Sequence, residues 1–366
     1  MIDLAGILRD NGLDLEIMTA GKNRFKVKTQ RAESFFVHFS EIFSVLRQVM
    51  QLRKTRCVIL LMLPTPSFAL LADAIKFYTR NPVIVYFESQ LTVLSFREMI
   101  INLKSEFGFY FFRLLFNNNL WAKLSCFAAD KYIVSSHFQA SEIIEAGASA
   151  LKTVVIRNLV SLNGKNKSKA QLRLKYAIPS DSRLVCYLGH YFHVKGVDLL
   201  LRAFYIARKT YPDLRLFLAW SGLGDEKPIK KLIIKLGLED AIIPVGEVRQ
   251  SDIFACCDLL VLPYRYTFGT QIVPNTLVEA ISVGIPLVTS DLPVISEIIS
   301  EKTGILCNSH NVQEITEAIL SMLRMGEKAN LMKKNQKKLF ETMFNRKIIA
   351  HKYVDTINSV KNDQSS

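Results

Sequence analysis

Residues 268–287 read FGTQIVPNTLVEAISVGIPL, and this stretch is the most informative part of the chain about its fold. Asn275 or a near neighbour is predicted to be the N-cap of a helix over residues 276–283, because Asn is a favoured N-cap residue. The apolar run 285–289 that follows is predicted to be a buried strand. A helix that leads into a buried strand is typical of a βα repeat.

Working outward, short apolar runs alternate with helix-length segments along the whole chain. The predicted strands are residues 57–63, 82–87, 131–135 and 152–156 in the first half, and 183–188, 214–219, 241–245, 258–263 and 285–289 in the second. Such alternation predicts parallel sheets, and strands that are apolar on both faces predict helices on both sides. The expected fold is therefore α/β, with two Rossmann-like doubly wound domains facing across a cleft.

The predicted domains are residues 1–160, a polar and basic linker over 161–182, a second domain over 183–345, and a C-terminal helix and tail over 346–366. Residues 4–19 are predicted to form a helix, a turn and a strand. A doubly wound domain normally begins with a strand and a glycine-rich turn before that helix. We therefore expect that the first domain lacks this βα turn, or that the sequence begins downstream of it.

Composition limits the classes of protein and of partner. Of the 366 residues, 49% are hydrophobic and 22% are charged, which is typical of a globular chain. The net charge of +14 is spread over both halves, without a clustered basic helix, so we expect anionic small ligands or anionic lipid and no nucleic acid.

The cellular location is predicted from cysteine usage and hydropathy. The six cysteines lack paired spacing, and no second Cys/His pair accompanies Cys256 and Cys257, so buried thiols in a reducing compartment are expected. There is no signal-peptide core near the N-terminus, and the longest apolar run, 57–72, contains two prolines and is too short to span a membrane. The prediction is a cytoplasmic protein, either free in the cytoplasm or on the inner face of the cell membrane.

Three glycine-containing turns follow predicted strands of the second half. Residues 189–196 read GHYFHVKG, and Gly189, His190 and Lys195 would place backbone amides and an ammonium where a phosphate binds. Gly222 follows the next strand, and Gly246 with Val248 could pair with the edge of a base. Each turn alone is equally compatible with a solvated surface turn.

The stretch quoted first supplies the remaining candidates. The amino end of the predicted helix, with Pro274, Asn275 and Thr276, could hold a diphosphate, and Glu279 could bind two vicinal hydroxyls. Alternatively, Glu279 only favours the positive end of the helix dipole. No metal-ligand cluster is predicted.

Together these pieces resemble family 4 retaining glycosyltransferases of the GT-B fold, in the glycosyl transferases group 1. The family pattern Glu-Gly-Phe-Pro-Asn-x-Leu-Leu-Glu-Ala followed by Gly-x-Pro-Val is similar to residues 271–280 and 284–287, and a Gly-Arg-x₄-Lys-Gly-like turn is similar to 189–196. The resemblance covers about 130 residues strongly and the first half loosely, through 82–89 and 129–158.

The resemblance implies a role for each matching residue. Lys195 would neutralise the diphosphate of a UDP- or GDP-linked sugar, Glu279 would bind its ribose, and Gln271 would face the sugar. Gly269 and Thr270, with the residues up to Thr276, would surround the sugar and the diphosphate. The nucleotide sugar would be a substrate, without a cofactor or a metal. Attack on the front face of the sugar would retain its anomeric configuration.

The sequence departs from the family pattern at three positions. His190 stands where the family usually has Arg, Gln271 stands where it has Glu, and Glu88 stands where an acceptor-side His or Asp often follows the strand 82–87. If His190 lies beside the diphosphate, its protonation would favour the donor, and donor affinity would fall as the pH rises from about 6 to 8.

The function implied is hexosyl transfer to a glycan or lipid-linked acceptor, in cell-surface polysaccharide or glycolipid synthesis. A second possibility is another enzyme of the same fold, an epimerase or a phosphorylase. A third is a non-catalytic nucleotide-sugar-binding or partner protein, in view of His190 and Gln271. Residues 107–127 combine aromatic and basic side chains, which fits either a surface in contact with an anionic membrane or a buried helix pair.

Overall fold

A computed structural model describes residues 58–62, 66–80, 82–87, 125–160, 168–245, 248–267 and 272–362. The chain divides into two compact units. The first comprises Met1–Leu159, Phe268–Ile272 and Arg346–Ser366, and the second comprises Val160–Thr267 and Val273–Asn345. The predicted features within residues 1–57, and the aromatic stretch 107–124, lie outside the described residues.

The first unit contains a parallel sheet of four strands in the order β1-β2-β3-β4. Its elements are β1 (Val58–Met62), α1 (Pro66–Thr79), β2 (Val83–Phe87), β3 (Lys131–Val134), α2 (His137–Glu145), β4 (Thr153–Val155) and the C-terminal α11 (Arg346–Asn362). Because successive strand residues point to opposite faces, a run of apolar residues such as β2 requires packing on both sides.

Both faces of this sheet are covered. On one face, Val83 and Val85 pack in a core with Ile75 of α1 and Ile143 of α2. On the other, Ile84 packs in a core with residues of α11, among them Ile349, Tyr353 and Ile357. The helix that ends the chain therefore returns to the first unit, where it supplies one of the two layers.

The second unit contains a parallel sheet of six strands in the order β10-β9-β8-β5-β6-β7. Its strands are β5 (Arg183–Tyr191), β6 (Leu214–Gly224), β7 (Ile242–Val245), β8 (Leu259–Leu262), β9 (Leu287–Ser290) and β10 (Ile305–Cys307). Its helices are α3 (Lys169–Lys175), α4 (Val197–Thr210), α5 (Lys227–Lys235), α6 (Gln250–Cys256), α7 (Asn275–Val283), α8 (Pro293–Ser296), α9 (Val312–Arg324) and α10 (Lys328–Met343).

The strand order of the second unit contains a switch point. From β5 the chain adds β6 and β7 on one side of the sheet, then crosses to add β8, β9 and β10 on the other. Strands β5 and β8 are therefore adjacent, and their connections leave in opposite directions. In open α/β sheets this arrangement creates a crevice at the carboxyl ends of the two strands, where ligands bind. The doubly wound α/β fold predicted from the sequence is confirmed. The cleft between the two units stays a prediction.

The segment predicted as a linker differs from that expectation in its second half. Residues 169–175 form α3, whose first turn is closed by a capping box between Ser168 and Gln171. Arg173 Nη2 lies 2.6 Å from Asp258 Oδ2, and the same carboxylate accepts a hydrogen bond from the Leu184 amide at 2.8 Å. The polar character of this segment therefore serves ion pairing onto the second unit.

None of the helices in the described part of the chain has both the length and the apolar content needed to cross a bilayer.

Candidate functional site

The turn that carries Lys195 follows β5 directly at the switch point. A single 3-10 turn comprises His193, Val194 and Lys195. Gly196 is the N-cap of α4 and has a φ of 69°, in the left-handed region. A Cβ atom at Gly196 would lie 1.9 Å from the carbonyl oxygen of Pro263, the residue after β8. Only glycine fits there, so the two connections that leave the switch point are in close backbone contact.

Lys195 packs on the ring of Tyr264, and the charge of Glu279 acts on the same tyrosine. Lys195 is only 7% exposed, and its Nζ lies 4.7 Å from the centre of the Tyr264 ring, which is itself buried. Burial raises the pKa of Tyr264, and the charge of Glu279 adds to this rise. A cation over one ring and a carboxylate within electrostatic range of it form a polar cluster at the end of β8.

Glu279 is held by a residue from another helix. It is the fifth residue of α7. Gln250 Nε2, at the start of α6, donates a hydrogen bond to Glu279 Oε2. Burial raises the pKa of Glu279 to about 7, and the hydrogen bond from Gln250 opposes part of that rise. A half-buried carboxyl with a pKa near neutrality is typical of a functional site.

Arg265 fixes the turn that carries Lys195. Its two Nη atoms each lie 2.7 Å from an oxygen of Asp198 on α4, and its Nη1 also donates to the carbonyl of His193 at 2.8 Å. Its backbone amide donates to the carbonyl of Val194 at 2.9 Å. Burial alone would raise the pKa of Asp198, but the bonds and the charge of Arg265 outweigh it and hold that pKa below its usual range.

Helix α7 begins one residue earlier than predicted. Its N-cap is Pro274, whose carbonyl accepts hydrogen bonds from the amides of Leu277 and Val278, and Asn275 is the first helical residue. The prediction that Asn275 itself or a neighbour is the N-cap is therefore met by the neighbour. The helix starts one residue early because Pro274, with a fixed φ and no amide hydrogen, favours the start of a helix. Asn275 and Thr276 are half-buried at this amino end.

The surroundings of His190 determine its charge in the ligand-free protein. Burial, together with the nearby charge of Lys195, lowers the pKa of His190 to about 4. Its ring lies 5.4 Å from that of Phe192. The side chain is therefore neutral near pH 7, and it does not replace the permanent charge of an arginine in the ligand-free protein.

The glycine turns at the ends of β5 and β6 pack against each other. Strand β6 extends through Gly224, so the predicted turn at Gly222 is the end of a strand. A Cβ atom at Gly224 would lie 2.6 Å from the carbonyl carbon of Tyr191, and one at Gly189 would lie 2.8 Å from Tyr187 Oη. These close approaches give Gly189 and Gly224 a structural role, whereas Gly222 is exposed.

The structure brings together only some of the predicted residues. Lys195, Glu279 and the amino end of α7 belong to the second unit, and Val248 lies just before Gln250, which contacts Glu279. The predicted residues Glu88, Gly246, Gly269, Thr270 and Gln271 lie outside the described residues.

Three residues of this site were missed from the sequence, namely Tyr264, Arg265 and Gln250. Tyr264 and Arg265 directly follow the buried strand β8, at the edge where ligands of such sheets bind, and this position was a usable signal. Gln250 had no such signal, because its partner Glu279 is 29 residues away.

Part of the chain matches a family of known proteins. Residues 168–339 match the family model described as glycosyl transferases group 1. The resemblance to the glycosyl transferases group 1 is thereby confirmed for this part of the chain, whereas membership of the retaining family 4 stays a prediction.

Relatives of known name match about half of this chain. An uncharacterized glycosyltransferase of Haemophilus influenzae is 28% identical over 42% of this chain and 44% of its own length. The lipopolysaccharide core biosynthesis mannosyltransferase LpsB of Rhizobium meliloti is 26% identical over 56% and 58%. A D-inositol 3-phosphate glycosyltransferase of Streptomyces avermitilis is 26% identical over 50% and 42%. The chain thus spans about half the length of the curated relatives it matches.

Solved structures of the same fold cover more of the chain. Sucrose-phosphate synthase from Thermosynechococcus elongatus superposes with a TM-score of 0.72 at 17% identity, over 93% of this chain and 82% of that one. HepE of Anabaena, in complex with UDP-glucose, superposes with a TM-score of 0.68 at 19% identity, over 86% and 82%. At these identities the likeness concerns the fold.

Proposed function

We propose that this chain, which over residues 168–339 belongs to the glycosyl transferases group 1 family, is a glycosyltransferase that moves a hexosyl unit from a nucleotide sugar to a glycan or lipid-linked acceptor. The observation that carries this proposal is the placement of Lys195 over Tyr264 at the switch point of a doubly wound sheet, with the half-buried Glu279 in electrostatic range of the same tyrosine. A nucleotide sugar has anionic phosphates and neutral hydroxyls close together, and this pair of side chains matches both.

Each side chain takes the part of the donor that suits its chemistry. The Lys195 ammonium and the positive amino end of α7, at Pro274, Asn275 and Thr276, would hold the diphosphate. The Glu279 carboxylate would accept hydrogen bonds from the ribose hydroxyls. Gly269, Thr270 and Gln271, which precede α7, would lie against the sugar, and Gly246 and Val248, which precede α6, would lie against the base.

Finer features of the reaction are proposed as well. A lysine and a helix terminus supply the positive charge that a divalent ion supplies in other enzymes, so we propose a metal-independent reaction. We further propose retention of the anomeric configuration, with Glu88 on the acceptor side. A UDP- or GDP-linked donor is proposed, and HepE, which has the same fold, was crystallised with UDP-glucose.

The biological setting is proposed from the relatives and from the charge of the chain. LpsB of Rhizobium meliloti is named as a lipopolysaccharide core mannosyltransferase, which supports a role in cell-surface glycan or glycolipid synthesis. A net charge of +14 supports a cytoplasmic location with peripheral contact to an anionic membrane.

The proposal is tested by titrating the protein with UDP- and GDP-sugars and following the thermal midpoint. A bound donor raises the midpoint by mass action, and Lys195→Ala is expected to weaken the preferred donor about tenfold or more, since a charge-assisted contact contributes roughly 1.5–3 kcal/mol. Glu279→Ala is expected to weaken it as well. The matched control is Lys209→Ala, because Lys209 also lies over a tyrosine ring, at 4.9 Å, on an exposed part of α4.

A transfer assay with the donor so identified separates the alternatives. Retained configuration in the product, with activity undiminished in excess chelator, is the expected result. Donor binding without transfer to any glycan or lipid acceptor would instead indicate the non-catalytic alternative. Equal donor affinity in Lys195→Ala, Glu279→Ala and the parent would exclude the site.

Donor affinity is expected to rise between about pH 6 and pH 8. The pKa of Glu279 is about 7, and a carboxylate accepts hydrogen bonds from ribose better than a carboxylic acid does. Its ionised share rises from about a tenth to about nine tenths over this range, so affinity can increase by up to about tenfold. Isothermal titration calorimetry at several pH values measures the change.

Two variants show which group is responsible for this pH dependence. Glu279→Gln keeps an acceptor for Gln250 and should flatten the profile, whereas His190→Gln should leave it unchanged, because the pKa of His190 is about 4. The expectation from sequence was the opposite, a fall in affinity with pH through His190, and the two variants separate these possibilities. A fall in affinity between pH 6 and 8 that His190→Gln removes would restore that expectation.

A further inference from the structure

Four of the five exposed large apolar side chains in the described part of the first unit lie in one region, and the fifth, Ile348, is on α11. Among the described residues of both units ten such side chains are exposed, and four of them are Phe77, Tyr78, Ile144 and Leu151. Leu151 is 90% exposed and Phe77 is 68% exposed. Single exposed apolar residues are ordinary, whereas several in one region indicate an interaction surface.

These four residues lie at the same edge of the parallel sheet. Phe77 and Tyr78 are in the last turn of α1 before β2, Ile144 is in the last turn of α2, and Leu151 is in the 3-10 turn before β4. The amino ends of parallel strands meet at one edge, so the segments that lead into them are neighbours. We call residues 76–80, 82, 129–131 and 144–152 the amino edge.

Hydrogen bonds link the segments of the amino edge directly. Asp130 Oδ2 accepts from the Val83 amide at 2.7 Å and lies 2.6 Å from Lys76 Nζ, which joins the end of α1 to the start of β3. Lys131 Nζ donates to the Leu151 carbonyl at 3.3 Å, and Lys152 Nζ donates to the Ala129 carbonyl at 3.1 Å. The apolar side chains are thus presented by a connected surface.

The amino edge also has an excess of positive charge. Arg80 is exposed, and Lys131 and Lys152 are half-buried with ammonium groups that donate to carbonyls. Within the described parts of the chain, none of these three forms an ion pair with a carboxylate. The acids are Asp130, which pairs with Lys76, and the exposed Glu145 at the end of α2. The cations therefore exceed the acids.

We propose that the amino edge binds the surface of an anionic lipid bilayer. Phe77, Tyr78 and Leu151 would enter the interface between headgroups and acyl chains, where aromatic and aliphatic side chains gain from leaving water. Arg80, Lys131 and Lys152 would meet the headgroup phosphates. This inference deepens the membrane contact proposed above and rests on it, whereas donor binding by the second unit is independent of it.

Vesicle binding by the full chain tests the proposal. We expect co-sedimentation with vesicles of phosphatidylcholine and phosphatidylglycerol, much weaker binding to phosphatidylcholine alone, and loss of binding at high salt. The double variant Phe77→Ser, Leu151→Ser should lower the partition coefficient about tenfold or more, because two side chains no longer enter the interface. Leu174→Ser is the matched control, since Leu174 is 84% exposed on α3 of the second unit; it should bind as the parent does.

A second variant tests the electrostatic part without disturbing the fold. Arg80 has a φ of 54°, a left-handed conformation that glycine adopts without strain, so Arg80→Gly removes a charge at no backbone cost. It should weaken binding to the anionic vesicles several-fold and make it less sensitive to salt. Thermal unfolding confirms that each variant is folded.

Donor titration in the same variants keeps this proposal distinct from the proposed function. Unchanged donor affinity in Phe77→Ser, Leu151→Ser with lost vesicle binding supports both proposals. Failure of the parent to bind anionic vesicles, or equal loss in Leu174→Ser, overturns the membrane inference and leaves the donor site unaffected. Light scattering that shows a parent dimer, dispersed by the double variant and without vesicle binding, would overturn it too, in favour of an interface between two copies.

Discussion

Gly196→Ala is expected to destabilise the protein by about 2–5 kcal/mol and to weaken donor binding about tenfold or more, as Lys195→Ala does. The added Cβ would lie 1.9 Å from the Pro263 carbonyl oxygen, and neither atom belongs to a side chain that can rotate away. The backbone φ of 69° adds about 1–2 kcal/mol of strain for a residue with a Cβ, and the overlap adds roughly 1–3 kcal/mol. The backbone at residue 196 must therefore move, and Lys195 directly precedes it.

The measurement combines a thermal unfolding curve with a donor titration. A loss of donor affinity of about tenfold or more is expected, because a displaced Lys195 loses its charge-assisted contact with the donor phosphate. Gly237→Ala is the matched control: Gly237 has a similar φ of 60°, but a Cβ there would meet nothing within 4 Å. It should cost about 1 kcal/mol of stability and leave donor affinity intact. Wild-type affinity in Gly196→Ala would mean that the turn does not position Lys195.

Arg265→Ala is expected to have the second-largest effect, on both stability and donor binding. Arg265 is 7% exposed, and its removal breaks two hydrogen bonds to Asp198 and one to His193. Asp198 would be left without its partner. Losing one member of a buried pair costs about 3–5 kcal/mol, and since the Asp198 side chain is about a third exposed we expect the lower part of that range.

The pH dependence of stability identifies the Arg265–Asp198 pair as the cause. The pKa of Asp198 is held below its usual range, so the pair stabilises the protein above the unfolded pKa of 3.8, and this contribution is lost as the pH falls through the folded pKa. The stability difference between parent and Arg265→Ala should therefore be largest near pH 7 and shrink in acid. A control is Arg183→Ala, since Arg183 pairs with Asp213 on the surface, where a salt bridge contributes little.

Donor binding in Arg265→Ala is expected to weaken even where the protein is folded. Arg265 is a positioning residue, because it acts on Lys195 through the His193 carbonyl and through α4. Arg265→Lys should recover part of the stability through a single charge contact with Asp198. It should recover less of the donor affinity, because a lysine cannot make the bidentate contact that Arg265 makes. Equal donor affinity in all three proteins would show that the Arg265 contacts are only structural.

The sequence alone determined where most strands lie. The runs at 82–87, 131–135 and 258–263 were predicted as strands, and β2, β3 and β8 occupy them. Each run is apolar at successive positions, which is the pattern that burial on both faces of a parallel sheet requires. Local pattern was insufficient where an element is short or polar. Strand β10 has three residues, and α3 lies in a basic segment that was predicted to be a linker.

The sequence also determined the motif residues of the candidate site, but not the environment of their side chains. Lys195 and Glu279 were selected because they match a spacing along the chain. The placement of Lys195 over Tyr264, with Glu279 in electrostatic range, depends on the strand order. That order places β5 beside β8, although three helices and two strands separate these two strands along the chain.

Only the tertiary structure decided the charge states of the site residues and the hydrogen bonds that hold them in place. Burial lowers the pKa of His190 and raises that of Glu279, and neither shift can be derived from residues nearby in the chain. Gln250 and Arg265 reach partners 29 and 67 residues away. The physical reason is that propensity and periodicity act over a few residues, whereas desolvation and ion pairing depend on everything that packs around a group, whatever its distance along the chain.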